Sequence, residues 1–165
     1  MIKVNIEEAL KKLEETRKVL ENKMKNMVAG FAYTVTNIAS NNTPLGDPEK
    51  FFGLYELREQ TYGIDIKEGF HKGAWQYSET KGITFDPTVY GLGSARERAY
   101  VDARMQYKLG DNFYIAAKGP AYGALEAAVR GQGGSMQAPQ GIMQPSTEEI
   151  IQIAGINLKK YFEEG

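Results

Sequence analysis

Apolar side chains recur along residues 5–40 at alternating steps of three and four positions. The positions that carry this pattern are Ile6, Leu10, Leu13, Leu20, Met24, Met27, Phe31 and Ile38, with Arg17 interrupting it. This spacing places the apolar side chains on one face of an α-helix. Asn5 followed three positions later by Glu8 has the form of a helix start, because an Asn side chain accepts a hydrogen bond from a free amide of the first turn. We therefore predict one long helix over residues 5–40.

Glu and Lys side chains of this helix are spaced one turn apart, in the pairs Glu7–Lys11, Glu8–Lys12, Glu14–Lys18 and Glu21–Lys25. Each such pair stabilises a helix by about 0.2–0.5 kcal/mol. The helix is longer than a domain of this size needs. Either its apolar stripe lies across the chain's own sheet, or part of the stripe faces another subunit.

Alternation of apolar and polar residues in the middle of the chain predicts a small, mainly antiparallel sheet. The predicted strands lie at Trp75, Ile83–Phe85, Tyr100–Leu109 and Phe113–Ala117. The most regular alternation is that of Tyr100–Leu109, and a tight turn at Gly110-Asp111-Asn112 would join it to Phe113–Ala117 as a hairpin. Ser146 with Glu149 has the form of a second helix start. The prediction is a single α+β domain over residues 1–165, in which the N-terminal helix and a C-terminal helix (146–163) pack on a sheet within residues 71–120.

Composition places the chain among globular proteins, with 165 residues, 42% hydrophobic and 25% charged. A net charge of −1 argues against a protein that acts mainly by neutralising phosphates. The chain has no cysteine, which excludes disulfides and thiolate metal sites. No run of about 18 apolar residues and no apolar signal segment is present, so we expect a soluble product without a membrane partner.

Candidate chemistry is sparse, and we predict that the protein is not an enzyme and has no cofactor or metal. The single histidine, His71, is expected on the surface beside Lys72 and lacks a nucleophile motif nearby. A small hydrolase or nuclease that uses His71 with Glu68 or Asp65 is the weakest alternative. Arg96, Arg98 and Arg104 form a possible nucleic-acid contact, although Glu97 and Asp102 alternate with them and favour an ordinary salt-bridged surface.

The stretch Gly131–Ser146, "GQGGSMQAPQGIMQPS", predicts a loop with apolar side chains in it. It contains no acid, base or nucleophile, and Pro139 restricts the backbone of its second half. The 10 tyrosines, 7 phenylalanines and 6 methionines of the chain are typical of protein interfaces. Our hypothesis is that Met136, Ile142 and Met143 become buried only in an assembled particle, with Tyr122 contributing to the same interface.

Three stretches in order resemble one family of proteins. They are a long N-terminal helix ending in "NNTP", then "EGFHKGAWQYS", then "NFYIAAKGPAYGALEAAVRGQGGSMQAPQGIM". Their succession resembles the tail-completion and head–tail joining proteins of tailed bacteriophages. The matching positions are Thr43, Pro44, Gly69, Lys72, Gly73, Trp75, Pro120, Tyr122, Leu125, Glu126, Gln137, Ala138, Pro139 and Gly141. The chain departs from the family pattern by an insertion between Pro44 and Gly69, in the segment of residues 45–70.

The resemblance implies a structural protein of the virion that acts without catalysis. It implies a ring of several copies at the head–tail junction, with a hexamer as one candidate, formed in the host cytoplasm during assembly. The ring would dock to the tail terminator, the tail tube or the connector, and DNA contact through the three arginines is the alternative. The residues expected at the interface are Tyr122, Glu126, Met136, Gln137, Ala138, Pro139, Gly141, Ile142 and Met143, most of them in the predicted docking loop, residues 131–145.

Overall fold

The structure of the chain, a computed structural model, describes residues 5–44, 71–83, 94–118, 138 and 140–164. Within these ranges the elements are helix α1 (Ile6–Asn42), a 3-10 helix (His71–Ala74), strand β1 (Trp75–Ser78), helix α2 (Ala95–Gln106), strand β2 (Tyr114–Ala117) and helix α3 (Met143–Glu164). These helices and the antiparallel pairing of the two strands confirm the predicted α+β class. The insertion over residues 45–70 lies outside the described residues.

Helix α1 confirms the predicted N-terminal helix. The side chain of Asn5 accepts a hydrogen bond from the backbone N–H of Glu8 at 3.3 Å, as the helix-start pattern predicts. Three of the expected pairs form ion pairs, with N–O distances of 3.2, 3.5 and 3.2 Å for Glu8–Lys12, Glu14–Lys18 and Glu21–Lys25. The helix ends where Thr43 takes an extended conformation (φ −80°, ψ 125°), which a residue before proline favours.

Residues 100–106 are helical, so the predicted strand Tyr100–Leu109 is wrong. The alternation in this segment coincides with a second pattern, in which small residues recur every fourth position at Ala95, Ala99 and Ala103. These three alanines are buried, whereas Val101 and Met105, which would share one face of a strand with Ala103, are 50% and 78% exposed. Alanine has the highest helix propensity, and its small side chain allows close approach of two helices. Packing of the alanine face against α1 therefore favours a helix over a strand in this segment.

The sheet pairs β1 with β2 rather than forming the predicted hairpin. Trp75 lies opposite Ala117 and Ser78 opposite Tyr114. The predicted turn does form, with Gly110 at a φ of +94° and a hydrogen bond of 3.0 Å from the Asp111 N–H to the Lys108 carbonyl, but it joins a helix to a strand. Strand β2 confirms the prediction for Phe113–Ala117 apart from its first residue. Ile83 lies outside any strand, and residues 84–85 are not among those described.

Helix α3 begins three residues earlier than predicted. The side chain of Ser146 does not cap its start but donates to the Ile142 carbonyl at 2.6 Å from within the first turn. Pro145 is compatible with this early start, since the first amides of a helix have no intrahelical partner. The end of the predicted docking loop is thus helical from Met143 onward.

Helix α1 packs mainly against α2 and then against α3, and its contact with the sheet is smaller than predicted. One core cluster joins α1, α2 and the sheet, and it contains Val28, Ala29, Ala32, Tyr77, Ala99, Ala103 and Tyr107. The second lies at the C-terminal end of α1, and it contains Ala39, Trp75, Ala95, Ala138 and Ile142. Both clusters use the second half of α1.

Candidate assembly surface

The C-terminal end of α1 is held by side chains that come from distant parts of the chain. The indole Nε1 of Trp75 donates to the Thr43 hydroxyl at 2.8 Å, and this hydroxyl donates to the Ala39 carbonyl at 2.7 Å. A helix leaves its last carbonyls without intrahelical partners. The Lys72 Nζ satisfies two of them, donating to the carbonyls of Ser40 and Asn41 at 3.2 and 3.1 Å.

Lys72 is itself fixed by a return contact, because the Ser40 hydroxyl donates to the Lys72 carbonyl at 2.8 Å. Burial lowers the pKa of the Lys72 amine. A cation at this position also interacts favourably with the negative end of the helix dipole. The short 3-10 helix is therefore tied to the end of α1 by both its backbone and its side chain.

Helix α3 docks at the same end of α1. The side-chain amide of Asn42 donates to the Ser146 hydroxyl at 3.2 Å and to the Glu149 carboxylate at 3.4 Å. We call the group Ser40, Asn42, Thr43, Lys72, Trp75 and Ser146 the junction. Thr43, Lys72 and Trp75 are also positions of the family resemblance, so the fold brings residues of two separate sequence motifs into one contact network. This network is internal and supports the fold.

The predicted interface residues divide into three groups. Ala138, Gly141 and Ile142 are buried inside the chain, and Ile142 is 0% exposed. The prediction that Ile142 becomes buried only in an assembly is therefore wrong, because it fills the core cluster beside Trp75. Met143, by contrast, is half exposed. The remaining positions, Tyr122, Glu126, Met136, Gln137 and Pro139, lie outside the described residues and stay predictions.

The three arginines of the possible nucleic-acid contact all lie on α2 and are engaged within the protein. Arg96 donates to the Asn37 side chain at 2.9 Å and stacks over Tyr33, with 5.4 Å to the ring centroid. Arg98 is half-buried and donates to the Gly73 carbonyl. Burial lowers the pKa of Arg98, and the Asp102 carboxylate opposes that effect. Arg104 contacts the Tyr100 hydroxyl at 3.3 Å.

His71 lies in the 3-10 helix and is buried, so its predicted surface position is wrong. Glu68 and Asp65, the acids considered with it, lie outside the described residues. In the part of the chain that the structure describes, no group of three or more His, Asp or Glu side chains is placed to hold a metal ion. None of the described helices combines the length and apolar character needed to cross a membrane.

The first half of α1 carries five of the ten exposed large apolar side chains among the described residues. Its apolar stripe consists of Ile6, Leu10, Leu13 and Leu20, which are between 47% and 67% exposed. In the second half the same stripe is partly or fully buried, for example at Met24 and Ile38. The sequence left open whether the stripe covers the sheet or faces another subunit. Within this chain, the second half is covered and the first half is not.

A groove with a volume of about 390 Å³ lies between the second half of α1 and α2. Gly30 and Tyr33 line it from α1, and Glu97, Tyr100 and Val101 line it from α2. The exposed side chain of Val101 adds apolar surface to the α2 wall of the groove. Sequence reasoning missed the groove because it assigned the α2 segment to a strand.

Comparisons with models of protein families, with curated proteins and with solved structures find no match to this chain.

Proposed function

We propose that this chain is a structural protein that works by assembling with other copies of itself and with a larger particle. The observation that carries the proposal is the exposed apolar half of α1. Fully burying a Leu or Ile side chain contributes about 1.5–3 kcal/mol. Soluble proteins seldom leave an apolar stripe of this length uncovered unless it meets a partner.

The resemblance to tail-completion and head–tail joining proteins supports a tailed phage as the setting in which the chain assembles. In that setting the copies form a ring at the head–tail junction of a tailed phage, and the ring docks to the tail terminator, the tail tube or the connector. A ring uses heterologous contacts, in which one patch of a subunit meets a different patch of its neighbour. The exposed half of α1 and the half-exposed Met143 lie in different elements and are two candidates for such patches.

The arginines give less support to the DNA-contacting alternative. Arg96 and Arg98 each use their guanidinium groups to join α2 to another segment of the chain. A side chain held in this way has fewer donors left for phosphates. We therefore favour assembly over DNA contact as the function of the chain.

Light scattering of the purified chain, alone and mixed with tail terminator, tail tube and connector proteins, tests the proposal. We expect a concentration-dependent rise in mass for the chain alone, or a complex with one of these proteins. Purified phage particles should also contain the chain at a fixed copy number. A chain that stays monomeric, joins none of these proteins and is missing from the particles would contradict the proposal.

A further inference from the structure

The apolar positions of α1 follow a heptad repeat. Two interleaved series with a period of seven residues carry it: Ile6, Leu13, Leu20 and Met27 in one, and Leu10, Arg17, Met24 and Phe31 in the other. Such interleaved series form the d and a positions of a coiled coil. Here the series that begins at Ile6 occupies d, and the series that begins at Leu10 occupies a.

The two halves of this repeat have different surroundings. Met24 packs against the core cluster of α2 and the sheet. Residues 5–20, by contrast, are exposed on every face of the helix. We call residues 6–20 the arm; at the rise of an α-helix it is about 22 Å long. The arm has no packing of its own within the described part of this chain, and most helical stability in proteins comes from packing of an apolar face, so a partner helix would stabilise it.

We infer that the arm pairs in parallel, and in the same register, with the arm of a second copy of this chain. The inference deepens the proposed function and rests on it, since it names the surface through which copies assemble. Exposure on every face leaves room for a second helix along the stripe. Such a pair is an isologous contact, in which the same patch of both copies meets, so the contacts that join pairs into a ring must use other patches.

The charges that flank the stripe favour a parallel over an antiparallel pair. The e positions are acidic at Glu7, Glu14 and Glu21, while the g positions include Ala9 and Thr16. In a parallel pair the e side of one helix faces the g side of the other, so Glu14 and Glu21 meet uncharged residues. In an antiparallel pair e faces e, and like charges meet. Lys18 and Lys25, which form ion pairs with Glu14 and Glu21, lie at b positions, further from the contact between the two helices.

Arg17 sets the register of this pair. A polar residue at one a position fixes the alignment of a coiled coil at a cost in stability. A shift by one heptad would place Arg17 against Leu10 or Met24. In the aligned pair the two Arg17 side chains lie in the same layer, and each guanidinium can extend out of that layer towards the acidic flank, since Glu14 and Glu21 lie one turn before and after it on the same helix.

Seam substitutions test the inference in the full-length chain. Leu13→Asp should weaken self-association by roughly a hundredfold or more, because it places a charge in the apolar seam. Arg17→Leu should strengthen it by roughly tenfold, because it removes the polar a position. Val19→Asp is the matched control: Val19 is 56% exposed but lies at a c position beside the stripe. Analytical ultracentrifugation measures the association, and circular dichroism checks that each variant folds.

Cross-linking tests the orientation, and the absence of native cysteine makes it unambiguous. Leu20→Cys should form a disulfide with Leu20→Cys of another copy, because d positions of aligned parallel helices lie opposite each other. Asn22→Cys, at an f position on the far side of the helix, should not. Cross-linking of Leu20→Cys only with Leu10→Cys, in a mixture of the two variants, would overturn the parallel arrangement, because a positions lie opposite d positions in an antiparallel pair.

The outcomes separate this inference from the proposed function. If Leu13→Asp assembles as the unchanged chain does, the arm is not the seam, while the proposed function stands. A chain that stays monomeric at high concentration but joins a tail protein also overturns the inference alone. A chain that joins neither itself nor a tail protein overturns both.

Discussion

The indole Nε1 of Trp75 donates a hydrogen bond of 2.8 Å to the Thr43 hydroxyl, and both side chains are buried. The bond spans 32 positions of sequence. It connects the first residue of β1 to the residue that ends α1. Because the Thr43 hydroxyl also donates to the Ala39 carbonyl, a continuous chain of hydrogen bonds leads from the sheet into the last turn of the helix.

Thr43→Val should destabilise the protein although it preserves the shape of the side chain. The substitution removes the acceptor of the indole N–H in a buried place, and a buried donor that loses its partner costs about 1–3 kcal/mol. Urea denaturation followed by fluorescence measures this loss directly, since Trp75 is the single tryptophan of the chain.

The matched control for Thr43→Val is Thr16→Val. The Thr16 hydroxyl also donates to the carbonyl four residues earlier, that of Lys12 at 2.8 Å, but Thr16 is exposed. Its replacement should change the free energy of unfolding by no more than about 0.5 kcal/mol. Equal losses in the two variants would show that the bond to Trp75 contributes nothing.

Arg98→Ala should destabilise the fold rather than remove a binding function. Arg98 is half-buried and donates to the Gly73 carbonyl, so its loss removes a charge-assisted hydrogen bond between α2 and the 3-10 helix. Hydrogen bonds to charged groups contribute about 1.5–3 kcal/mol. Urea denaturation measures the expected decrease in the free energy of unfolding.

Arg104→Ala is the control for Arg98→Ala. Arg104 is exposed, and among the described residues it hydrogen-bonds only to the Tyr100 hydroxyl of its own helix. Its stability should stay within about 0.5 kcal/mol of the unchanged chain. A DNA column at low salt adds a second comparison. Salt-dependent retention that Arg104→Ala abolishes without a loss of stability would favour the DNA-contacting alternative.

Local patterns were sufficient to predict α1. Its start at Asn5, its ion pairs and its apolar spacing involve residues within one or two turns of each other. The α2 segment shows where local patterns fail, because its alternating residues fit a strand while its alanines fit a helix. The choice depends on Val28, Ala29 and Ala32 of α1, which pack in one cluster with Ala99 and Ala103. No short window of sequence contains that information.

The junction could not be predicted as a contact network for the same reason. Asn42 bonds to Ser146 across 104 positions of sequence. The family resemblance singled out Thr43, Lys72 and Trp75 without indicating that they meet. Ile142 looked like an exposed loop residue because its neighbours are glycine, glutamine and proline. Its burial depends on the space that Trp75, Ala39 and Ala95 leave between them.

Ile142→Ala and Met143→Ala should differ sharply in their effects on stability. Ile142 is fully buried, and truncating such a side chain costs about 2–5 kcal/mol through lost burial and the cavity left behind. Met143 is half exposed and should cost about 1 kcal/mol or less. Thermal or urea denaturation of the two neighbours measures the difference. Similar losses would mean that Ile142 is not part of the core.

Met143 also allows a test of the predicted docking loop. Met136→Asp combined with Met143→Asp should leave the fold intact but prevent assembly, because charges would then lie in an apolar interface. Light scattering and the infectivity of particles carrying the variant measure the effect. Unchanged assembly and infectivity would exclude Met136 and Met143 from the interface.

The Tyr77 hydroxyl should make stability depend on pH in the alkaline range. It is buried and has no hydrogen-bond partner among the described residues. Burial, together with the charges of Glu79, Tyr107 and Asp111, raises its pKa from 10.0 to about 12. The folded state then keeps a proton that the unfolded state loses above pH 10. The stabilising effect is therefore complete below pH 10 and is lost as the pH rises to about 12.

Tyr77→Phe should be at least as stable as the unchanged chain at pH 7, since it removes an unsatisfied buried hydroxyl and keeps the ring stacked on Phe113, with centroids 5.8 Å apart. Its free energy of unfolding should also fall less steeply between pH 10 and 12. Denaturation across this range, with Tyr100→Phe as a control for a less buried tyrosine, measures the difference in slope. Equal slopes for Tyr77→Phe and the unchanged chain would show that the Tyr77 hydroxyl ionises in the folded protein as readily as in the unfolded one.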